Sequence, residues 1–140
     1  MVKLKPYSSS FLALGGLLLV AMGIYFVSMR PALLPEDLLY MKTTSSIVQQ
    51  NIPQLSIWLQ KVFWVNGGYI FTTGLLTIFI ALTSFRKRTN GAFSIVLISG
   101  ITSIGFMTVI NFMIESDFKW VLLTFTLPWI IALILYLLHK

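Results

Sequence analysis

At 140 residues, 57% hydrophobic and 10% charged, the chain is too apolar for a water-soluble domain, where about a quarter of residues carry charge. Ten Lys and Arg against four Asp and Glu leave a net charge of +6, which a membrane surface accounts for without nucleic acid. There is no cysteine, and the one histidine is His139. That leaves no residues for disulfides, thiol redox chemistry, iron–sulfur ligation, a haem held between helices or a histidine-based zinc site, so neither cofactor nor metal is expected.

A helix needs roughly 20 apolar residues to cross a ~30 Å hydrocarbon core. The first such run covers about 11–29. Lys3 and Lys5 precede it, as in a signal peptide. The run is longer than a signal core, however, and ends in Ser28-Met29-Arg30-Pro31 without a small-x-small cleavage site, which predicts a retained span. Segment 30–54 follows and is the longest stretch outside the spans. Pro35 at a first helical position with Glu36 and Asp37 in the first turn predicts a short helix to about Met41. Thr43 to Ser46 reads as a break, Ile47 to Gln50 as a second short turn, and Asn51-Ile52-Pro53 as its end.

After Pro53, Leu55, Trp58, Leu59, Val62 and Phe63 have helical spacing and lead directly into a second span, about 62–85. The turn Thr89-Asn90-Gly91 separates it from a third, about 92–114. Ser116-Asp117-Phe118 separates that from a fourth, about 120–138. Loops this short predict antiparallel neighbours. The predicted fold is therefore an all-α integral membrane protein, a single domain over residues 1–140: a four-helix transmembrane bundle with a short helical cap at 30–54.

Placing both termini inside puts Lys3, Lys5, Arg86, Lys87, Arg88 and Lys140 on the cytoplasmic side, against Arg30, Lys42, Lys61 and Lys119 outside. The excess predicts cytoplasmic termini in a multi-pass protein of the cell (inner) membrane. All four acids (Glu36, Asp37, Glu115 and Asp117) then fall outside. Arg86, Lys87 and Arg88 read as a topology determinant and as a contact for anionic lipid. Trp58, Trp64, Trp120, Tyr25 and Tyr40 would form the outer aromatic belt, and Tyr7 and Tyr136 the inner one.

Lipid tails compete with apolar side chains, so small residues should mark helix seams. Gly16 and Gly23 lie seven apart, as do Gly67, Gly74 and Ala81, and a heptad repeat stays on one face of a left-handed crossing. The two stripes are expected to face each other or the bundle axis. In the third span Ser99, Thr102, Ser103 and Gly105 make a small hydroxylated surface. Pro128 should bend the fourth, with Thr124 able to bond the freed backbone.

No span contains an acid, so the signature of proton coupling is missing. Asn66 and Asn111 are the amides deep within spans, at similar depth below the outer end. They are expected to hydrogen bond to each other, with Tyr69 one turn below Asn66 and with Arg30, Glu36, Asp37 and Glu115 above. One reading is structural: Arg30 pairs with Glu36 or Asp37 and ties the cap down. The other is a half-buried site in which Asn66, Tyr69, Asn111, Arg30, Glu36 and Glu115 orient the polar end of a ligand. Glu36 and Asp37 diverge by about 100° on a helix, and no nucleophile–base pair appears, so catalysis is not expected. The function expected is binding, in the outer half, of an amphipathic, lipid-like ligand or a partner membrane protein. The alternative is a small oligomeric channel or transporter for an ion or neutral solute. Membrane lipids and a second copy or another membrane protein are the expected partners.

Arg30-Pro31-Ala32-Leu33-Leu34-Pro35-Glu36-Asp37-Leu38, with Trp58-Leu59 and Phe63-Trp64-Val65-Asn66-Gly67-Gly68-Tyr69, resembles a group of uncharacterised bacterial four-span membrane proteins. The plan of four helices with a structured loop after the first is similar to DoxX-like membrane proteins. DoxX-like proteins are associated with quinone- or sulfur-linked redox partners. Without cysteine or an internal histidine, this chain carries over no such activity.

Overall fold

The computed structural model describes residues 5–138, with side chains from Tyr7 onward; Lys3, His139 and Lys140 lie outside the described residues. Four helices are long and apolar enough to cross a membrane. Helix α1 (Lys5–Ser28) leads to the cap helices α2 (Pro35–Tyr40) and α3 (Ser45–Asn51). The remaining three spanning helices are α4 (Leu55–Phe85), α5 (Ala92–Met113) and α6 (Lys119–Leu138). The chain is a multi-pass, all-helical bundle with no strand among the described residues. The cap covers one end; the Arg86-Lys87-Arg88 turn lies at the other.

The two small-residue stripes do face each other. A Cβ on Gly16 would stand 2.9 Å from the Gly74 carbonyl oxygen, and one on Gly67 would stand 2.9 Å from that of Gly23. One heptad further on, the Ser9 hydroxyl donates to the Ala81 carbonyl. Ser9, Gly16 and Gly23 thus oppose Ala81, Gly74 and Gly67 in an antiparallel register repeating every seven residues. The α1 and α4 backbones touch directly, so van der Waals contact replaces the hydrophobic drive that lipid cannot supply.

A second seam joins α5 to α6. Trp129 is buried mid-span, and its indole N–H donates to the Val96 carbonyl at 2.9 Å. Gly100 makes room for it, because a Cβ there would sit 2.5 Å from the indole nitrogen. Gly100→Ala is therefore expected to lower stability by about 1–3 kcal/mol through overpacking. Trp129→Phe should lose the hydrogen bond and also leave a cavity where the larger indole stood, for a total of about 2 kcal/mol or more. Denaturant titration in mixed micelles would measure both, and an unchanged midpoint in either variant would remove this contact from the seam.

These seams change one expected neighbour pair. α1 packs along α4 and against α6, and α5 packs on α6. α4 and α5 meet mainly near their connecting turn, so the order around the bundle is α4–α1–α6–α5. The short turn dictates antiparallel direction and contact at one end only. The glycine seam then draws α4 to α1, and Trp129 draws α5 to α6, leaving a gap between α4 and α5 toward the cap. α5 also carries a π-helical turn at Ile101–Gly105, and α4 carries another at Ala81–Phe85. The hydroxyls of Thr102, Ser103 and Thr108 donate to carbonyls of their own helix. The Thr124 hydroxyl does the same, to Trp120, rather than bonding a carbonyl freed by Pro128.

Trp58, Trp64, Trp120 and Tyr40 are exposed near the capped end, as an interfacial belt requires. Tyr25 and Tyr136 turn inward instead. Tyr136 stacks on Phe85 at 4.5 Å between ring centroids and lies under Arg88.

Candidate functional site: a crevice beneath the cap

The cap is held by a short chain of polar contacts. Pro35 opens α2, and the Asp37 carboxylate reaches back to accept the Leu34 backbone N–H at 2.9 Å, satisfying one donor of the helix start. The same carboxylate oxygen pairs with Arg30 Nη2 at 3.3 Å. Arg30 also donates to the Pro31 carbonyl, and its guanidinium carbon lies 3.4 Å from the centre of the Phe63 ring on α4. Gln60, one turn from Phe63, donates to the Arg30 carbonyl at 3.1 Å. Burial pushes the Arg30 pKa below its ordinary value, opposed chiefly by Asp37. An arginine so placed still keeps its proton at physiological pH.

Glu36 points the other way. It is 6% exposed and accepts from the Ser116 hydroxyl at 3.1 Å, across 80 residues, in the turn between α5 and α6. Ser116 accepts the Phe118 backbone N–H in turn. The two adjacent acids thus clamp opposite sides: Asp37 to the α1–α4 pair through Arg30, and Glu36 to the α5–α6 pair.

Below this clamp lies a crevice of about 420 Å³. Its floor and walls are apolar, including Met22, Phe26, Leu122 and Phe125. Arg30, Glu36, Asp37 and Ser116 collect at its capped end, and Asn111 lies on the α5 wall. A second cavity of about 320 Å³ fills the gap between α4 and α5, lined in part by Asn66, Tyr69, Thr73 and Thr102. Phe26 and Met107 line both cavities and form the partition between them.

The expected constellation is therefore divided. Arg30, Glu36 and Asn111 border the crevice; Asn66 and Tyr69 border the lateral cleft; Glu115 is exposed and borders neither. The expected Asn66–Asn111 hydrogen bond is not formed. Asn111 donates instead to Met107 of its own helix at 2.9 Å. α4 and α5 do not pack there, and the two asparagines border different cavities. Glu115 adopts φ 54° just after α5, a helix-ending position, which carries its side chain away from the bundle.

Asp37 and Ser116 also carry part of the site, beyond the six residues expected to orient a ligand. Asp37 is legible as a residue three positions after a helix start. Ser116 has no local signal, since its role comes from a partner far along the chain.

At the opposite end Arg86 and Lys87 are exposed, whereas Arg88 adopts φ 56° and lays its guanidinium 4.3 Å from the Tyr136 ring centre. Its Nη2 is buried without a hydrogen-bond partner. Among the described residues no group of three or more His, Cys, Asp or Glu converges as a metal site would require.

No family model matches the chain, and neither a curated protein nor a solved structure matches it.

Proposed function

We propose that this protein is a non-enzymatic binder of a single amphipathic, lipid-like molecule. The observation that carries the reading is the crevice: apolar walls with a few fixed polar groups gathered at one end. That is the build of small-molecule sites, which run from about 300 to 1,000 Å³. The polar head of the ligand sits against the clamp at Arg30, Glu36 and Asp37. Its tail follows Phe26 and Met107 toward the lateral cleft, where Asn66 and Tyr69 lie.

Filling the crevice tests this. Ala21 borders it from an exposed position on α1, within the span, so Ala21→Phe should occupy space without disturbing either seam. Native mass spectrometry from a mild detergent is expected to show one added mass on the wild-type protein and none on Ala21→Phe. Equal retention by both would refute the reading.

The channel or transporter alternative draws less support. The hydroxyls of the third span donate back to their own helix, so they offer a pore only acceptor lone pairs. The α4–α5 cleft is also where a second copy or a partner membrane protein would dock, and the DoxX-like layout adds no activity to either reading.

We further propose that the protein lies in the cell (inner) membrane with the capped end outside and both termini cytoplasmic. Six basic residues against four support this orientation. Arg86, Lys87 and the unsatisfied Arg88 would then meet anionic headgroups, at about 1 kcal/mol per basic residue. A reporter fused after Lys140 is expected to be active only in the cytoplasm; activity only outside would reverse the orientation.

A further inference from the structure

The crevice contains three charged groups, and their pairing is uneven. Asp37 neutralises Arg30. Glu36 has no cation in contact: the Arg30–Asp37 pair is the one salt bridge among the described residues, and Glu36 is the weakest of Arg30's electrostatic partners. The three charges, +1 for Arg30 and −1 each for Glu36 and Asp37, leave the capped end of the crevice at −1.

Hydrogen bonding is uneven in the same sense. The Ser116 hydroxyl is spent on both sides, donating to Glu36 Oε1 and accepting from Phe118. The Asp37 Oδ2 atom takes both the Leu34 N–H and Arg30. Asn111 gives one amide N–H to Met107. Among the described residues the Glu36 carboxylate takes one hydrogen bond, at Oε1, and Glu36 lines the crevice. A carboxylate so largely buried, with no cation in contact, is costly unless something else supplies the charge.

The rings around it point the same way. Tyr25, Phe118 and Phe125 all border the crevice, with Tyr25 and Phe118 6.5 Å apart between centroids. Aromatic rings that line the same crevice as a carboxylate without a contact ion pair favour an organic cation. The faces of Phe26 and Phe63 are already taken by Arg30.

We infer that the crevice selects amphipaths with a cationic ammonium head, a protonated amine or a quaternary ammonium, that supplies the missing counter-charge to Glu36. This rests on the binding reading above and adds the chemical class of the ligand. An anionic head would meet a net negative end, and a neutral head would leave Glu36 unbalanced.

The test uses the full chain in dodecyl maltoside and three probes with one tail length: dodecyltrimethylammonium, dodecanoate and dodecyl glycerol ether. Native mass spectrometry and the thermal unfolding midpoint read binding. Dodecyltrimethylammonium is expected to bind at least tenfold more tightly than either other probe. Glu36→Gln, which keeps an acceptor for Ser116 but not the charge, is expected to abolish that preference. The ranking of the three heads on the wild-type protein stands as a test on its own if Glu36→Gln fails to fold. Preference for dodecanoate, equal affinity for all three, or an unchanged preference in a folded Glu36→Gln protein would overturn the cationic assignment while leaving the crevice as a binding site. If no probe distinguishes the wild-type protein from Ala21→Phe, the binding reading fails as well.

Discussion

Gly23→Ala is expected to destabilise the protein by about 2–3 kcal/mol, at the upper end of overpacking costs, whereas Gly68→Ala is expected to be neutral or to stabilise it by up to about 1 kcal/mol. The two glycines lie in spanning helices of similar composition, so the difference isolates the seam. A Cβ on Gly23 would stand 2.6 Å from the Phe71 backbone nitrogen and 2.7 Å from its Cα. Neither atom belongs to a flexible side chain, so α1 must move away from α4 as a unit. A Cβ on Gly68 meets nothing within 4 Å. Gly74→Ala should resemble Gly23→Ala, because its Cβ would lie 2.6 Å from the Val20 backbone nitrogen. Unfolding in mixed micelles would measure all three, and a similar response at Gly23 and Gly68 would remove the seam from the account.

Asp37→Ala is expected to release the cap. The substitution removes the counter-charge of a buried guanidinium and the acceptor for the Leu34 N–H together. Breaking a fully buried pair costs about 3–5 kcal/mol, and an exposed pair about 0–1 kcal/mol. Here the side chains are 9% and 22% exposed, so an intermediate cost of roughly 2 kcal/mol follows. That corresponds to an opening equilibrium shifted by more than tenfold. Lys42 is exposed just after α2 and gives a direct readout. Trypsin should cut there at least ten times faster in Asp37→Ala, while cleavage at Lys87 stays unchanged. Ser116→Ala, which removes one hydrogen bond to a carboxylate, should also accelerate cutting at Lys42, through the other side of the clamp. Unchanged cleavage at Lys42 in both variants would mean that the cap is held by apolar contacts alone.

Much of the scaffold was legible because its signals are local or periodic. Apolar runs marked the four spanning helices, Pro35 with two acids marked α2, and glycines seven apart marked the faces of α1 and α4. The arrangement of the helices was less accessible. Loop length specifies direction but not which long faces meet, so α4 and α5 were expected to pack and do not. Depth along a helix likewise leaves azimuth open, which is why Asn66 and Asn111 border different cavities and make no contact. Trp129 with Gly100 could have been read as a buried indole needing an acceptor and a small neighbour, but the acceptor, the Val96 carbonyl, has no sequence signature. The site itself depends on Glu36 meeting Ser116, a pairing that exists only once the cap has closed on the α5–α6 turn.

The antiparallel register of α1 and α4 also sets a counting rule for how this chain can change length. One residue inserted between Gly16 and Gly23 turns everything beyond it by about 100°, placing a bulky side chain where the backbones touch. Insertions inside these two helices are tolerable only as whole heptads, made in both helices at matching levels. The segment from Arg30 to Gln54 lies outside that register and can gain or lose single residues away from its few anchor points. Length variation among related chains, or in designed variants, should therefore accumulate in the cap, while the paired helices change in steps of seven or not at all.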